Sequence, residues 1–346
     1  MRAVVFGSEG QVAVVDVPDP QLEGPRDAIV RVTTAGICGS DMHFVHLKAP
    51  IAPGEVLGHE AVGVIDEIGE GVTSFAVGDR VVVAFHIACG ECWFCLRGET
   101  GLCEDFRNLG AGAFSGGLAG TQAERVRVPN ADANLLRVPN DLDDDRAVFL
   151  SDVLTTGYYG ASLAAVLPRE TLAVVGAGPV GICTIQAARA LGAERVVALD
   201  REPDRLALAE AAGATPVDIA ARNSTMALAA ITEDRGADAV IDAVGHPVAF
   251  ESAVDIVRRG GRVVVLGMYA GEVAEIALGV YWARALDVRF AGVCPVHAWW
   301  ERTRDAMLGG RLDPRPLVSH RLPLEDAARG YDLFDRHEAT KVLLRP

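Results

Sequence analysis

Four cysteines fall within fifteen residues, Cys89-Gly-Glu-Cys92-Trp-Phe-Cys95 and then Cys103. The spacing C-x2-C-x2-C-x7-C brings four thiolates within reach of one centre, and four soft donors around a tetrahedral position suit structural zinc. Gly90, Gly98 and Gly101 supply the tight bends that such a lobe needs. With four protein ligands the site is closed, so its metal would hold a loop together and leave no place for a substrate. An iron–sulfur cluster takes the same donors. Disulfides are the third reading, but nothing marks the chain as secreted, and seven cysteines is an odd number. A reduced, cytoplasmic setting follows.

Two further groups carry chemistry. Gly36-Ile-Cys38-Gly-Ser40-Asp41-Met-His43 is followed, about twenty residues after Cys38, by Gly58-His59-Glu60. Singly, Cys38 reads as a small core residue and His59 as a core histidine. Together they offer one soft and one borderline donor, which suits a catalytic zinc with three protein ligands and an open position. The third ligand must come from elsewhere, and Ser151-Asp152, just before Thr155-Thr-Gly157, is the candidate. Gly176-Ala-Gly178-Pro179-Val180-Gly181 follows an apolar strand pattern and opens a helix. Gly176 permits the turn, Gly178 lets backbone approach a pyrophosphate, and Gly181 lets helix pack on strand. The first-turn amides then face the phosphates, and Pro179 sits where a missing N–H costs least. Asp200 ends the next strand, twenty-four residues past Gly176, where a carboxylate binds ribose hydroxyls.

The elements that must position these groups follow from the rest of the chain. At 346 residues it is long for one core, and two domains are expected. Half the residues are apolar and 6% aromatic, which suits an α/β protein. A net charge of -15 argues against nucleic acid or an anionic membrane surface as partner. No apolar stretch reaches the ~20 residues of a membrane span, and Met1 leads straight into a strand pattern with no signal-peptide core. Residues 1–150 read as short strands, clearest at Ala28–Thr33, Ala61–Ile68 and Arg80–Phe85. From about Thr171, strands Leu172–Val175, Arg195–Leu199, Asp238–Ile241 and Arg262–Leu266 alternate with helices Val180–Leu191, Pro203–Ala212 and Val248–Val257. That alternation means a parallel, doubly wound sheet. After about Phe290 the chain returns to Pro-rich and amphipathic pieces and closes on a strand, Lys341–Arg345. The glycine-dense stretch Gly110–Gly120 reads as a flexible surface loop, with a mobile wall near a site as the alternative. Val273–Leu278 is expected to finish the parallel sheet as an edge strand, and an uncovered edge invites a second subunit.

Gly36–Asp41, Gly58–Glu60, Gly78-Asp-Arg-Val81, the cysteine lobe, Gly176–Gly181 and Cys294-Pro295 together resemble the zinc-dependent medium-chain dehydrogenase/reductases, the alcohol dehydrogenase superfamily. The match covers essentially the whole length. It implies an α/β architecture: a GroES-like β-rich catalytic domain, 1–153 and 291–346, with its structural zinc lobe at 89–103, and a Rossmann NAD-binding domain, 154–290. The active site would lie in the cleft between them, with two zinc ions per subunit. By position, Cys38 and His59 match ligands of the catalytic zinc, and Glu60 the carboxylate that can approach it. Asp41 matches the acid that orients the histidine, with Lys341 placed to pair with that acid. Asp152 stands where the best-known branch has cysteine and the polyol branch glutamate. Its run, Ser151–Gly157, is similar to bacterial secondary-alcohol and glutathione-independent formaldehyde dehydrogenases, which use aspartate there. The former usually lack the cysteine lobe, and the long insertions of the latter are absent.

The resemblance implies reversible oxidation of a primary or secondary alcohol to aldehyde or ketone. Hydride passes to the nicotinamide, and the proton leaves through Ser40, the nicotinamide ribose and His43. Gly176, Gly178, Pro179, Val180, Gly181, Asp200, Arg205 and Val244 are the implied cofactor contacts, with Asp200 favouring NAD over NADP and Arg201 facing solvent. Phe85, Trp282 and Cys294 are candidates to line the substrate pocket. A polyol or formaldehyde dehydrogenase is the alternative. A zinc-free quinone or enoyl reductase would have no use for Cys38, His59 and the lobe, and a protein that only binds nucleotide should show a damaged ligand set. A homo-oligomer is expected, tetramer before dimer, acting on a small alcohol or ketone without nucleic acid or membrane.

Overall fold

The computed structural model describes residues 1–271 and 273–346. The chain forms two compact units: Met1–Thr155 with Val293–Arg304 and Pro314–Pro346, and Thr156–Gly292 with Asp305–Asp313.

In the first unit a seven-stranded sheet runs in the order Val318–Pro323, Lys341–Arg345, Ala28–Ile37, Glu60–Ile68, Arg80–Val83 and Leu135–Arg137, with Arg125–Val128 also pairing with Ala28–Ile37. Its apolar residues alternate inward and close on one core that includes Val30, Ile37, Ile65, Val83 and Leu344. The register is what matters for chemistry. Gly36 lies opposite Glu60, and Val342 opposite Ile37. The ends of three strands thus put Cys38, His59-Glu60 and Lys341 side by side, although Lys341 is some three hundred residues from Cys38 in sequence.

The second unit holds a six-stranded parallel sheet in the order Thr215–Asp218, Arg195–Asp200, Thr171–Val175, Ala237–Asp242, Val257–Val265 and Asp287–Phe290. Strand Thr171–Val175 is buried along its whole length, as a strand covered on both faces must be. The chain order reverses beside it, and helix Pro179–Ala190 starts at its carboxyl end, the place where open α/β sheets take ligands.

The edge strand differs from expectation. Val273–Ala277 forms neither helix nor strand, and Leu278–Ala283 is a short helix. The sheet ends instead at Asp287–Phe290. The run Val-Ala-Glu-Ile-Ala-Leu is short and mostly apolar like a strand, but Gly271 has φ +85° and the six-residue helix that follows takes up the connection. Val273, Leu278 and Trp282 are left exposed.

Candidate active site

Cys38 ends strand Ala28–Ile37 and caps the short helix Gly39–Val45; its backbone N–H donates to Asp41 Oδ2 at 3.0 Å. Glu60 opens the neighbouring strand Glu60–Ile68, and His59 immediately precedes it. Asp152 lies at the turn before helix Val153–Ala164. That turn is tied down by Ser151, whose hydroxyl donates to Ala61 O (3.0 Å) and accepts from Ala61 N–H (3.1 Å). The donor atoms of Cys38, His59, Glu60 and Asp152 all lie within 4.8 Å of one another. His59 Nε2 is 3.4 Å from Asp152 Oδ2 and 3.2 Å from Ser40 Oγ, and Cys38 Sγ is 4.0 Å from Asp152 Oδ2.

The electrostatics of this cluster suit a cation. His59 Nδ1 sits 2.9 Å from Asp41 Oδ1, an ion-pair distance, with Nε2 turned toward Asp152 Oδ2. Burial opposes a charge on the ring, but Asp41 and Asp152 outweigh it and hold its pKa well above the usual histidine range. Glu60 is fully buried; its Oε2 pairs with Lys341, also fully buried, while Oε1 has no hydrogen-bond partner among the described residues. A buried carboxylate oxygen left unmatched beside a thiol and an imidazole calls for a positive partner. Burial likewise opposes the Lys341 charge, and Glu60 with Cys38 overcomes it, so the amine's pKa lies above its ordinary value. A β-carbon at Gly36 would collide with Glu60 Oε2, so only glycine leaves room for this pair. Lys341 therefore pairs with Glu60 and not with Asp41 as the sequence reading had it. The last strand presents position 341 to that of Cys38, above the mouth of the Gly36–Glu60 pairing.

The glycine-dense stretch is the other revision. Gly110 and Gly120 pack backbone to backbone on Leu57-Gly58; their β-carbons would meet Gly58 O at 2.3 Å and Leu57 O at 2.1 Å. Close approach, and not flexibility, accounts for these two glycines.

In the cysteine lobe the four sulfurs of Cys89, Cys92, Cys95 and Cys103 also converge within 4.8 Å. The pairs Cys89–Cys95 (3.9 Å) and Cys92–Cys103 (4.0 Å) are far beyond a disulfide bond of about 2 Å. Backbone N–H groups of Cys89, Glu91 and Cys92 point at sulfur, as thiolates require. Amides of Glu104 and Cys95 bring the Cys92 thiol down to about 6, whereas burial pushes Cys95 up. Gly90 and Gly98 take the left-handed conformation; Gly101 does not, and is glycine because a β-carbon would strike Val293 O at 2.1 Å.

In the second unit, Gly176 has φ +89°, and a β-carbon on Gly181 would meet Gly176 O at 1.9 Å. Gly178 has nothing within 4 Å of its β-position, so the loop backbone is open where a phosphate would approach. Helix Pro179–Ala190 has no side-chain cap and leaves its first amides for an anion. Val180 is half-buried at that helix start, Arg205 is half-buried, and Val244 is exposed against Gly176. Asp200 is buried, with Oδ2 accepting from Ala177 N–H (2.7 Å) and Oδ1 from the N–H groups of Arg201 and Glu202. Its carboxylate thus holds the glycine loop to the end of its strand, a tie that spacing alone did not reveal. Ser40 and His43, three apart on one helix, share a face and are both half-buried. Phe85 lies edge-on to the His59 ring at 6.2 Å; Cys294 is buried and Trp282 is 85% exposed.

The alcohol dehydrogenase GroES-like domain family matches residues 24–140, and the zinc-binding dehydrogenase family matches 179–304. The zinc-type alcohol dehydrogenase-like protein AdhB of Bacillus subtilis is 35% identical over the full length of both chains. Among solved structures, the alcohol dehydrogenase TADH of Thermus sp. ATN1 superposes with a TM-score of 0.95 at 44% identity, covering 100% of this chain and 99% of that one. A zinc-binding dehydrogenase-like protein from Sinorhizobium meliloti 1021, bound to NADP, matches at TM-score 0.86 and 31% identity over 100% of this chain and 99% of that one. The chain belongs to the zinc-dependent medium-chain dehydrogenase/reductases. It is an oxidoreductase of the zinc-type alcohol dehydrogenase class.

Proposed function

We propose that the chain oxidises a primary or secondary alcohol reversibly to an aldehyde or ketone, with NAD as hydride acceptor and two zinc ions per subunit. The observation that carries this is the convergence of Cys38, His59 and Asp152 around a position bordered by the orphaned Glu60 Oε1. A thiolate, an imidazole and a carboxylate are three ligands of the kind a catalytic zinc takes, and the fourth place is left for substrate. Zinc bound there supplies Lewis acidity toward an alcohol oxygen, and bound nicotinamide supplies the hydride acceptor. The chain's own part is to position and to move protons. Asp41 fixes the His59 tautomer, Lys341 holds Glu60 by one oxygen, and Ser40 with His43 offers a route out for the alcohol proton. Cys89, Cys92, Cys95 and Cys103 hold the structural zinc. Gly176–Gly181, Asp200, Arg205 and Val244 form the cofactor site, with residues 1–153 and 291–346 as the catalytic domain and 154–290 as the Rossmann domain.

NAD is preferred because a 2′-phosphate beside Asp200 would set two unit charges ~4 Å apart, a repulsion of ~4 kcal/mol at an effective dielectric of about 20. Half of that is still a discrimination of more than about tenfold. Exposed Val273, Leu278 and Trp282 support a homo-oligomer, a tetramer in this reading, and the reduced thiol set supports a cytoplasmic setting. Among the described residues no helix is long and apolar enough to cross a membrane.

The deciding experiment is a panel of primary, secondary and polyol alcohols and formaldehyde, run with NAD and with NADP. Turnover of simple alcohols with NAD supports the reading. Turnover confined to polyols or formaldehyde replaces the substrate assignment, and equal or better kcat/KM with NADP overturns the cofactor assignment alone.

A further inference from the structure

We infer that Gln122, backed by Tyr331, is a positioning residue for the proposed metal centre: it locks the Asp41 carboxylate that orients His59. The inference rests on the reading of Cys38, His59 and Asp152 as metal ligands. Gln122 is fully buried, and its amide Nε2 donates to Gly36 O at 3.0 Å and to Asp41 Oδ2 at 3.1 Å. Its Oε1 accepts from the buried Tyr331 hydroxyl at 2.8 Å. Chemistry fixes this orientation of the amide. A carbonyl and a carboxylate only accept, so both must face the NH2, and the amide oxygen is left for the one group able to donate to it.

The consequence falls on Asp41. Its Oδ2 receives two donors, the Gln122 amide and the Cys38 backbone N–H. The carboxylate cannot rotate without breaking both, so Oδ1 stays 2.9 Å from His59 Nδ1. The ring therefore keeps Nε2 toward Asp152 and Cys38. Gln122 also touches the residue that precedes His59. Gly58 has φ +91°, and a β-carbon there would meet Gln122 Cγ at 2.3 Å, so the side chain lies flat on the Gly58 backbone. Its own backbone is pinned by Gln122 N–H to Leu57 O (3.0 Å) and Val4 N–H to Gln122 O (2.8 Å). Tyr331, Gln122, Asp41 and His59 thus form one buried polar chain, and such chains are costly when one member loses its partner.

The test is metal release from the holoenzyme into excess chromogenic chelator, followed in time for wild type, Gln122→Met, Tyr331→Phe and Asp152→Ala. Methionine keeps the length of glutamine but neither donates nor accepts as an amide does. In Gln122→Met the phase that Asp152→Ala abolishes should run about tenfold faster, the lower end of what partners of metal ligands control, while release from the cysteine lobe keeps its wild-type rate. Tyr331→Phe should speed the same phase by a smaller factor, and carries the test alone if Gln122→Met folds poorly. A wild-type rate in both variants, or equal acceleration of both phases, would mean that Gln122 only fills space and would overturn the inference while the metal reading stands. If Asp152→Ala removes no metal, the metal reading fails and takes the inference with it.

Discussion

The cysteine lobe and the Cys38–His59–Glu60–Asp152 cluster are both four-donor groups in one unit, built on opposite plans. The lobe takes all four sulfurs from residues 89–103, and its own backbone amides support them. The second cluster draws on three distant segments. Sheet register and a turn bring them together, and each donor needs partners of its own: Asp41 for His59, Lys341 for Glu60, Ser151 to hold the turn at Asp152. A closed site can be local because it has only to bind. An open site must hold three ligands in place without the fourth, so it leans on a buried scaffold.

The sharpest break of this comparison is Asp152→Ala. Loss of one metal should cost the several kcal/mol that Lewis acidity supplies, about 10³-fold in kcat/KM if that is ~4 kcal/mol. Thermal stability should barely move, since Asp152 is not part of the core. Metal analysis alongside kinetics decides it, and full metal content with near-normal turnover would remove Asp152 from the centre.

Cys92→Ser combined with Cys95→Ser should do the reverse. Opening a metal clasp on fifteen residues resembles opening a crosslinked loop of that length, worth about 3 kcal/mol. For a unit of this size that is a fall of roughly 6–12 °C in the thermal midpoint, with new protease cleavage between 89 and 103. Turnover per remaining catalytic metal should hold. Proportional loss of both metals would show that the two sites are one cooperative structure.

The contrast also explains what could be read from the sequence. Cysteine spacing and the Gly176–Gly181 loop are local, so the lobe and the turn after strand Thr171–Val175 were legible residue by residue. Cys38, His59 and Asp152 were legible only through motif context, because Cys38 and His59 each have a core reading alone and Asp152 stands far from both in sequence. The supports were not legible. Glu60 meets Lys341 across 281 positions, Gln122 meets Asp41 across 81, and Tyr331 meets Gln122 across 209. Strand register creates the first meeting, and the other two join a bend before strand Arg125–Val128 to helices Gly39–Val45 and Ala327–Asp335, so tertiary packing and not local pattern makes them. Glycine density misled at 110–120 because it signals either mobility or close backbone approach, and only contacts tell the two apart. The segment Val273–Leu278 misled because a short apolar run fits a strand as well as a coil leading into a short helix.

The smallest expected effect concerns how the lobe is attached. His297, at the start of helix Val296–Leu308, places Nδ1 2.8 Å from Thr100 Oγ1 inside the lobe and Nε2 2.9 Å from Asn134 Oδ1. Asn134 Oδ1 also accepts from Ala88 N–H, beside Cys89, so it cannot donate, and Nε2 must carry the proton of a neutral ring. Burial drives the His297 pKa down to about 3. His86, edge-on to that ring with centroids 4.8 Å apart, is also pushed well below its usual range, first by burial and then by His297. In the unfolded chain both titrate near 6.5. Below that pH the unfolded state binds protons that the folded state refuses. Their contribution is therefore complete above about 6.5 and falls away as pH drops toward 3, at about 1.4 kcal/mol per pH unit for each ring. Hydrogen-exchange protection in helix Val296–Leu308, corrected for intrinsic rates and measured between pH 6.5 and 5.5, should report this loss, and His297→Gln should roughly halve its slope. Identical slopes in variant and wild type would mean that His297 accepts a proton without opening, and that the lobe is held by its metal alone.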